Sequence, residues 1–198
     1  MNVVVIKYNA GNFRSVQIAL ERMGITPEVT DDHEKIVKAD RVIFPGVGEA
    51  SSAMRYIKER SLDKIILSIQ QPFLGICLGM QLMCTHSEEN DTPCLGIFSQ
   101  HVLRFNATNQ GEKIPQIGWN SISELRSPLF NGITDDSFCY FVHSYRADIG
   151  SETIAVTNYC GRYSAALAKG NFYGVQFHPE KSASIGEVIL KNFINLPD

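Results

Sequence analysis

Cys77 stands in a local pattern that suits nucleophilic catalysis. The pentapeptide Gly75-Ile76-Cys77-Leu78-Gly79 joins an apolar run, Phe73 to Ile76, that predicts a buried strand, to a helix predicted from Leu78 to Thr85. Small residues two before and two after a nucleophile let the backbone turn sharply, which is the form of a nucleophile elbow. The partial positive charge at the amino end of a helix favours a thiolate, and the N–H of Leu78 can donate to an oxyanion.

A second pattern, Phe177-His178-Pro179-Glu180, offers the base and the orienting carboxylate that a thiolate nucleophile needs. Pro179 fixes its own φ and biases His178 toward extended geometry. Residues two apart on extended backbone project to the same side, so Glu180 can hold one ring nitrogen and leave the other for Cys77. Alone, His178 is equally compatible with a turn or cap, and Cys77 with a buried structural thiol. Together the two patterns predict a Cys–His–Glu group.

The elements that must position these residues alternate in the first half of the chain. Strands are predicted at Val3 to Ile6, Arg41 to Phe44 and Phe73 to Ile76, and helices at Val16 to Met23, Ser51 to Ile69 and Leu78 to Thr85. We expect Gly24 to end the first helix, a break near Ser61, and Pro45-Gly46 to end the second strand. Strands that alternate with helices pair in parallel through right-handed crossovers.

The second half of the chain is richer in short β runs. These runs are Val102 to Phe105, Phe138 to Val142, Thr153 to Thr157 and Tyr173 to Phe177, and a closing helix carries Ile185, Val188, Ile189 and Phe193 on one face. We interpret the runs as an antiparallel or mixed extension of the same sheet. The predicted fold class is α/β, with a central, mostly parallel sheet flanked by helices in a single domain over residues 1–198.

Composition excludes several other classes. The 198 residues carry a net charge of −3 with no run of Lys or Arg, which argues against a nucleic-acid platform. The first residues do not form a signal peptide, and no apolar stretch approaches the roughly 20 residues of a membrane span, so we expect a cytoplasmic protein. Five scattered cysteines without a C-x-x-C pair, and five histidines without ligand spacing, predict neither a metal nor an organic cofactor.

These motifs resemble those of the triad-type glutamine amidotransferases. The resemblance rests first on the segment from Gly75 to Gln81 and on His178-Pro179-Glu180. Further motifs are similar to the glutaminase subunits of imidazole glycerol phosphate synthase, over essentially the whole chain and in order: Pro45-Gly46-Val47-Gly48, Gly118-Trp119-Asn120, Val142-His143-Ser144-Tyr145 and His178-Pro179-Glu180-Lys181-Ser182.

The resemblance implies a role for each matching residue. Cys77 would be the nucleophile, His178 the general base and then acid, and Glu180 the orienting carboxylate. The oxyanion hole would be formed by Gly46, Val47 and Leu78, glutamine would be held by Gly48, Gln81, Glu89, Ser144 and Tyr145, and the partner interface would include Asn12, Trp119 and Lys181. Pro45 to Gly48 is also compatible with a simple strand-ending turn, and Glu89 with a solvated loop charge. We expect His143 to be a structural histidine.

The resemblance also implies a (β/α)8-barrel cyclase as partner, in a heterodimer, with L-glutamine as substrate and no nucleic acid or membrane. The chain departs from the family pattern in the segment Lys7 to Ser15, where Lys7 replaces Asp and Asn9 replaces Gly. In the family this loop faces the synthase partner. Three rival functions stay open: an amidotransferase subunit of another synthase (pyridoxal phosphate, anthranilate or surface-sugar), a γ-glutamyl or peptide cysteine hydrolase, and a redox-sensing binding protein.

Overall fold

The computed structural model describes residues 1–9, 12–107 and 111–197. Within these ranges the strands are β1 (Val3–Ile6), β2 (Glu28–Thr30), β3 (Arg41–Gly46), β4 (Phe73–Cys77), β5 (His86–Ser87), β6 (Thr92–Pro93), β7 (His101–Arg104), β8 (Gln116–Ile122), β9 (Ser137–His143), β10 (Tyr145–Ala147), β11 (Thr153–Asn158), β12 (Arg162–Lys169) and β13 (Phe172–Val175). The helices are α1 (Phe13–Arg22), α2 (His33–Val37), α3 (Ala50–Glu59), α4 (Leu62–Ser68), α5 (Leu78–Met83) and α6 (Ala183–Ile194).

A central sheet organises the molecule, with strand order β11-β12-β13-β4-β3-β1-β2. The pairs from β13 to β2 are parallel, and β11, β12 and β13 add an antiparallel edge. Every residue of β1, β3 and β4 is buried, as expected of strands covered on both faces. The predicted α/β class, with its mostly parallel sheet and antiparallel extension, is confirmed.

Two of the predicted β runs lie outside the central sheet. The run after Val102 is β7, in a sheet ordered β10-β7-β5-β6, and the run after Phe138 is β9, which pairs antiparallel with β8 alone. Alternation along a strand indicates that one face is buried, but it does not indicate which partner strand lies beside it. The expectation that every run in the second half extends one sheet was therefore wrong for these two.

The second strand continues beyond its predicted end. β3 includes Pro45 and Gly46, which pair with Ile76 and Cys77 of β4. The pairing of β3 with β1 stops at Ile43, so at Pro45 the strand has a neighbour on one side only. Proline, which has no N–H to donate, is tolerated at such a position. The expected strand end at Pro45-Gly46 was wrong for this reason.

The helices cover both faces of the sheet. One buried cluster joins the sheet to α1 and α6, and a second joins it to α2, α3, α4 and α5. The predicted break near Ser61 is confirmed, because Ser61 has a left-handed φ of 55° between α3 and α4. None of the helices in the described ranges is long and apolar enough to cross a membrane, and the same ranges contain no group of His, Cys, Asp or Glu side chains arranged to hold a metal ion.

Glycines allow α5 to pack directly on the backbone of the sheet. A Cβ placed on Gly79 would collide with the carbonyl oxygen of Phe44 in β3, and one on Gly75 would lie 2.8 Å from the nitrogen of Met80. Real Cβ atoms do not approach backbone this closely, so a side chain at either position would push the helix away from the strands. This contact fixes where α5 begins.

We therefore expect Gly79→Ala to destabilise the fold by about 3 kcal/mol, because overpacking against rigid backbone forces a shift of the helix. Gly96→Ala is the matched control: Gly96 has a φ of 69° and open space around it, so only the left-handed backbone cost of about 1–2 kcal/mol applies. Urea unfolding of both variants measures the difference. Equal decreases in the free energy of unfolding would show that the contact between α5 and β3 does not require a glycine at position 79.

Candidate active site

Cys77 occupies the turn between β4 and α5 with φ 53° and ψ −111°, a backbone conformation that non-glycine residues rarely adopt. The turn places the side chain at the carboxyl edge of the central sheet, between β3 and β13. Leu78 is the first residue of α5, and the first N–H groups of an α-helix have no carbonyl partner within the helix. The thiol thus lies beside a backbone donor that the helix itself does not use.

His178 reaches the same edge from the neighbouring strand. β13 lies parallel to β4 with Val175 opposite Ile76, so both strands end at the same carboxyl edge of the sheet. The imidazole of His178 is buried and within hydrogen-bonding range of the Cys77 sulfur. The structure brings together two side chains that are 101 positions apart in the sequence (178 minus 77).

Glu180 is hydrogen-bonded to the ring nitrogen of His178 that points away from Cys77. Its Oε1 lies 2.8 Å from Nδ1 of His178, so Nδ1 carries the proton and Nε2 is left toward Cys77. The extended geometry predicted for this segment stops at His178, because a 3₁₀ turn begins at Pro179. Proline suits the first position of such a turn, and the turn, rather than strand alternation, brings Glu180 back to the ring.

The backbone around His178 is anchored to β9. The N–H of His178 donates to the carbonyl of Tyr140 at 2.8 Å. The buried hydroxyl of Ser182 donates to the carbonyl of His178 at 2.7 Å and accepts from the N–H of Tyr140 at 2.9 Å. These three hydrogen bonds fix the position of the imidazole relative to the β8–β9 hairpin.

Two buried histidines in this region have opposite electrostatics. Burial alone lowers the pKa of His178, but the negative charge and hydrogen bond of Cys77, followed by the hydrogen bond and charge of Glu180, raise it further, to about 10. For His143, burial dominates and lowers the pKa to about 4. His178 is therefore suited to carry a proton beside the sulfur, while His143 stays neutral.

A cavity of about 300 Å³ opens over the sulfur. Its lining includes the following predicted site residues: Val47, Gly48, Cys77, Leu78, Gln81, Glu89, Ser144, Tyr145, His178 and Lys181. Gly46 is buried behind the cavity, where it pairs with Cys77 and where a Cβ would meet the Tyr8 hydroxyl and the nitrogen of Gly79. Pro115, Val142 and His143 also line the cavity, and the first two were missed by sequence reasoning.

Two polar residues of the cavity have fixed orientations. The Nε2 of Gln81 donates to the carbonyl of Tyr145 at 2.9 Å. An Oε2 of Glu89 accepts the N–H of Ala50 at 2.7 Å, and burial raises the pKa of this carboxyl more than that hydrogen bond lowers it. Glu89 is therefore a half-buried carboxyl held at the start of α3, and not a freely solvated loop charge.

The predicted interface residues do not all lie on one feature. Trp119 projects from the outer face of the β8–β9 hairpin, 53% exposed, with its ring in an edge contact to Tyr140. Ile117 and Phe138, 64% and 57% exposed, belong to the same pair of strands. Lys181 lines the cavity, and Asn12, at the start of α1, accepts a hydrogen bond from Ser15.

The loop that departs from the family pattern is only partly described. Lys7 is exposed, and the side chain of Asn9 donates to the carbonyl of Ser52 at 3.3 Å. Ala10 and Gly11 lie outside the described residues.

Sequence reasoning overlooked one buried polar residue of the site, Gln176. Its side-chain amide lies 3.7 Å from the Cys77 sulfur and 2.9 Å from Gln81. Its position two residues before His178, directly after β13, was an available signal, since alternate residues of an extended segment share a side.

A mostly parallel α/β sheet with a Cys–His–Glu group on a strand–helix elbow has the form of a thiol-dependent acyl-transfer enzyme. A family model, Glutamine amidotransferase class-I, matches residues 4–196, and the chain belongs to this family. Within it, the chain falls among the proteins named imidazole glycerol phosphate synthase subunit HisH.

Curated relatives support this assignment, and a solved structure shows the same fold. The HisH subunit of Bacteroides fragilis (strain YCH46) is 55% identical over 196 residues, covering 99% of this chain and 100% of that one. The Bacteroides thetaiotaomicron subunit is 51% identical with the same coverage. A crystal structure of a glutamine amidotransferase matches with a TM-score of 0.71 at 20% identity, over 98% of this chain and 97% of that one, and shows the same fold.

The raised pKa of His178 can be measured by NMR titration of its ring. We expect the imidazolium to persist through pH 8 and to lose its proton near pH 10, since Cys77 and Glu180 both favour the charged ring. Cys77→Ala should move the titration to lower pH, because it removes the larger favourable contribution. Loss of the signal in His178→Gln assigns it, and His143 gives an internal contrast by staying neutral down to about pH 4. Titration near pH 6.5 in both forms would contradict the coupling.

Proposed function

We propose that the chain hydrolyses L-glutamine to glutamate and ammonia through Cys77, His178 and Glu180. The ammonia is delivered to a (β/α)8-barrel cyclase subunit, in a cytoplasmic heterodimer that makes imidazole glycerol phosphate and aminoimidazole carboxamide ribotide in histidine biosynthesis. The main support for this proposal is the buried contact of the Cys77 sulfur with the His178–Glu180 pair beside the cavity. HisH relatives that match across almost the full length support the choice of synthase and of one amidotransferase domain over residues 1–198.

The first half of the reaction is acylation of the thiol. With His178 protonated and Cys77 as thiolate, the sulfur attacks the γ-amide carbon of glutamine and the carbonyl electrons move to oxygen. The tetrahedral intermediate collapses as Nε2 of His178 gives its proton to the departing nitrogen, which leaves as ammonia. The products of this step are a glutamyl thioester on Cys77 and a neutral imidazole.

The second half regenerates the enzyme. Neutral His178 takes a proton from water through Nε2, and the hydroxyl adds to the thioester carbon. The thiolate then leaves, which releases glutamate and restores the Cys77–His178 ion pair. Glu180 remains ionised throughout and keeps the proton of the ring on Nδ1, so that the same nitrogen, Nε2, serves as acid and then as base.

The oxyanion formed in both halves needs two donors. The N–H of Leu78 is one, and the peptide between Gly46 and Val47 is proposed as the second. Each donor contributes about 3 kcal/mol of transition-state stabilisation in related acyl-transfer sites. Val47 is 40% exposed, so this side of the cavity faces solvent, while Gly46 is packed against α5. Gly48 has a φ of 111°, a backbone conformation that favours glycine. The position suits a peptide that reorients when a partner docks.

The rest of the cavity suits the amino-acid end of glutamine. Because the nitrogen of Gln81 faces Tyr145, its Oε1 is directed elsewhere and can accept from the α-ammonium, with Glu89 supplying negative charge. Ser144 and Gly48 line the same cavity and can meet the α-carboxylate. The two charged groups of glutamine thus find complementary partners at a distance from the sulfur.

Substitution of the nucleophile tests the mechanism directly. Cys77→Ala should lower glutamine turnover in the assembled synthase by more than about 1,000-fold, as loss of a nucleophile does in triad enzymes, with little change in thermal stability. Cys94→Ala, a half-buried cysteine outside the cavity, is the control and should keep normal turnover. Normal turnover by Cys77→Ala would remove Cys77 from the mechanism.

Substitutions on the exposed face of the β8–β9 hairpin test whether the partner binds there. Trp119→Ala should weaken binding of a barrel cyclase subunit about 30-fold, corresponding to roughly 2 kcal/mol for a buried aromatic anchor. Leu67→Ala on α4, with the same 53% exposure, should leave the affinity unchanged. Titration calorimetry measures both. Equal effects of the two substitutions on the affinity would place the interface elsewhere.

Activation by the partner is tested separately. Equal glutamine turnover with and without the barrel subunit and its ribotide substrate would contradict it.

A further inference from the structure

Gln176 takes no part in the acylation and hydrolysis steps, yet its side chain touches the reacting sulfur. Its side chain is fully buried, with Nε2 3.7 Å from Sγ of Cys77 and Oε1 2.9 Å from Nε2 of Gln81. We propose that Gln176 is a further catalytic residue, whose amide N–H stabilises the Cys77 thiolate and whose orientation is set by Gln81, the residue assigned to the substrate. The link to substrate rests on the proposed function, whereas the contact with the thiolate does not.

The orientation of both amides follows from one backbone carbonyl. The carbonyl of Tyr145 can only accept, so the atom of Gln81 that lies 2.9 Å from it is the amide nitrogen. The same nitrogen is 2.9 Å from the side chain of Gln176, and two N–H groups would repel there, so Gln176 presents its oxygen. The remaining atom of that amide, the one facing Cys77, is the nitrogen. Gln176 is therefore a donor to the sulfur.

His143 holds the carbonyl of Tyr145, from which the series of hydrogen bonds through Gln81 and Gln176 to the sulfur begins. Its Nδ1 lies 2.7 Å from the oxygen of Tyr145 and donates to it, while its Nε2 lies 3.1 Å from the hydroxyl of Tyr163. The carbonyl thus accepts from both His143 and Gln81, which uses both of its lone pairs. Because burial lowers the pKa of His143 to about 4, the ring keeps this neutral form at the pH of catalysis.

Some groups around the Cys77 sulfur favour the neutral thiol, and others favour the thiolate. The carbonyl of Val142 lies 3.7 Å from Sγ and accepts from the S–H of a neutral thiol, whereas it repels a thiolate. The N–H of Gln176 and the His178 imidazolium both favour the thiolate, since hydrogen bonds to an ionised acceptor are about twice as strong as neutral ones. Removal of the Gln176 donor shifts this balance toward the unreactive thiol.

The test measures alkylation of Cys77 by iodoacetamide against pH, which reports the thiolate directly and needs no glutamine or partner. Gln176→Glu keeps the shape but replaces the donor by a carboxylate, and we expect alkylation at pH 7 to slow about 10-fold or more, with the pH profile moved upward. Gln176→Met removes the amide without adding charge and should slow alkylation about 3-fold to 10-fold, because the lost hydrogen bond is long, 3.7 Å from nitrogen to sulfur, and therefore weaker than a short charge-assisted one.

Gln100→Met is the matched control, because Gln100 is a buried glutamine that does not line the cavity, and its alkylation should equal that of the unmodified chain. Gln81→Met leaves Gln176 in place but removes the group that orients it, and should slow alkylation by a smaller factor of about 2 to 3, as expected for a neutral hydrogen bond. This variant decides the matter if either Gln176 variant fails to fold. Alkylation rates and pH profiles unchanged in the folded Gln176 and Gln81 variants would overturn the proposal.

Glutamine turnover in the assembled synthase is the second readout. Gln176→Met should lower kcat through the nucleophile and raise KM through the loosened Gln81, whereas a purely structural role would lower the amount of folded enzyme and leave both constants unchanged. An unmodified chain that alkylates as expected but does not turn over glutamine would contradict the proposed function and leave the thiolate contact standing.

Discussion

The close packing of α5 against β3 and β4 is the constraint on which the site depends. Cys77 holds a backbone conformation that costs about 1–3 kcal/mol, and such strain persists only where the surroundings determine it. Here every residue of α5 is buried, and Gly75 and Gly79 let the helix begin directly at the strand end. Because the helix cannot move away from the sheet, the sulfur, the N–H of Leu78 and the end of β13 meet at one edge.

Burial of the His178–Glu180 pair adds a second requirement. Their side chains are 3% and 1% exposed, and ionised groups removed from water cost several kcal/mol each unless they are paired. The structure offsets this cost with the direct hydrogen bond, the negative charge of Cys77, and the anchoring of the segment by Tyr140 and Ser182. The pairing of His178 with Glu180 therefore makes it possible for both side chains to lie out of water at the edge of the sheet.

Local patterns predicted the parts of this structure whose causes are local. The buried strand before Cys77 and the elbow glycines each act within a few residues, so β4 and the start of α5 could be inferred. The motifs around Cys77 and His178 allowed the Cys–His–Glu group to be proposed, but the 3₁₀ turn that brings Glu180 to the ring was not foreseen. The separate sheet formed by β8 and β9 could not be inferred, because strand partners are chosen by tertiary packing. Gln176 could have been noticed two residues before His178, but the contacts that orient it could not be predicted, because they come from the register of β13 on β4 and from Tyr145, which lies 31 positions earlier (176 minus 145).

The attachment of His178 to β9 uses the carbonyl and N–H of Tyr140, atoms that every residue type except proline provides. The side chain of Tyr140 contacts the exposed Trp119 ring on the hairpin. One residue thus serves the histidine through its main chain and the molecular surface through its side chain. During evolution, the exposed side chains of this surface could change to suit a different partner while the anchoring of the histidine stayed intact, so divergence in recognition need not impair the chemistry.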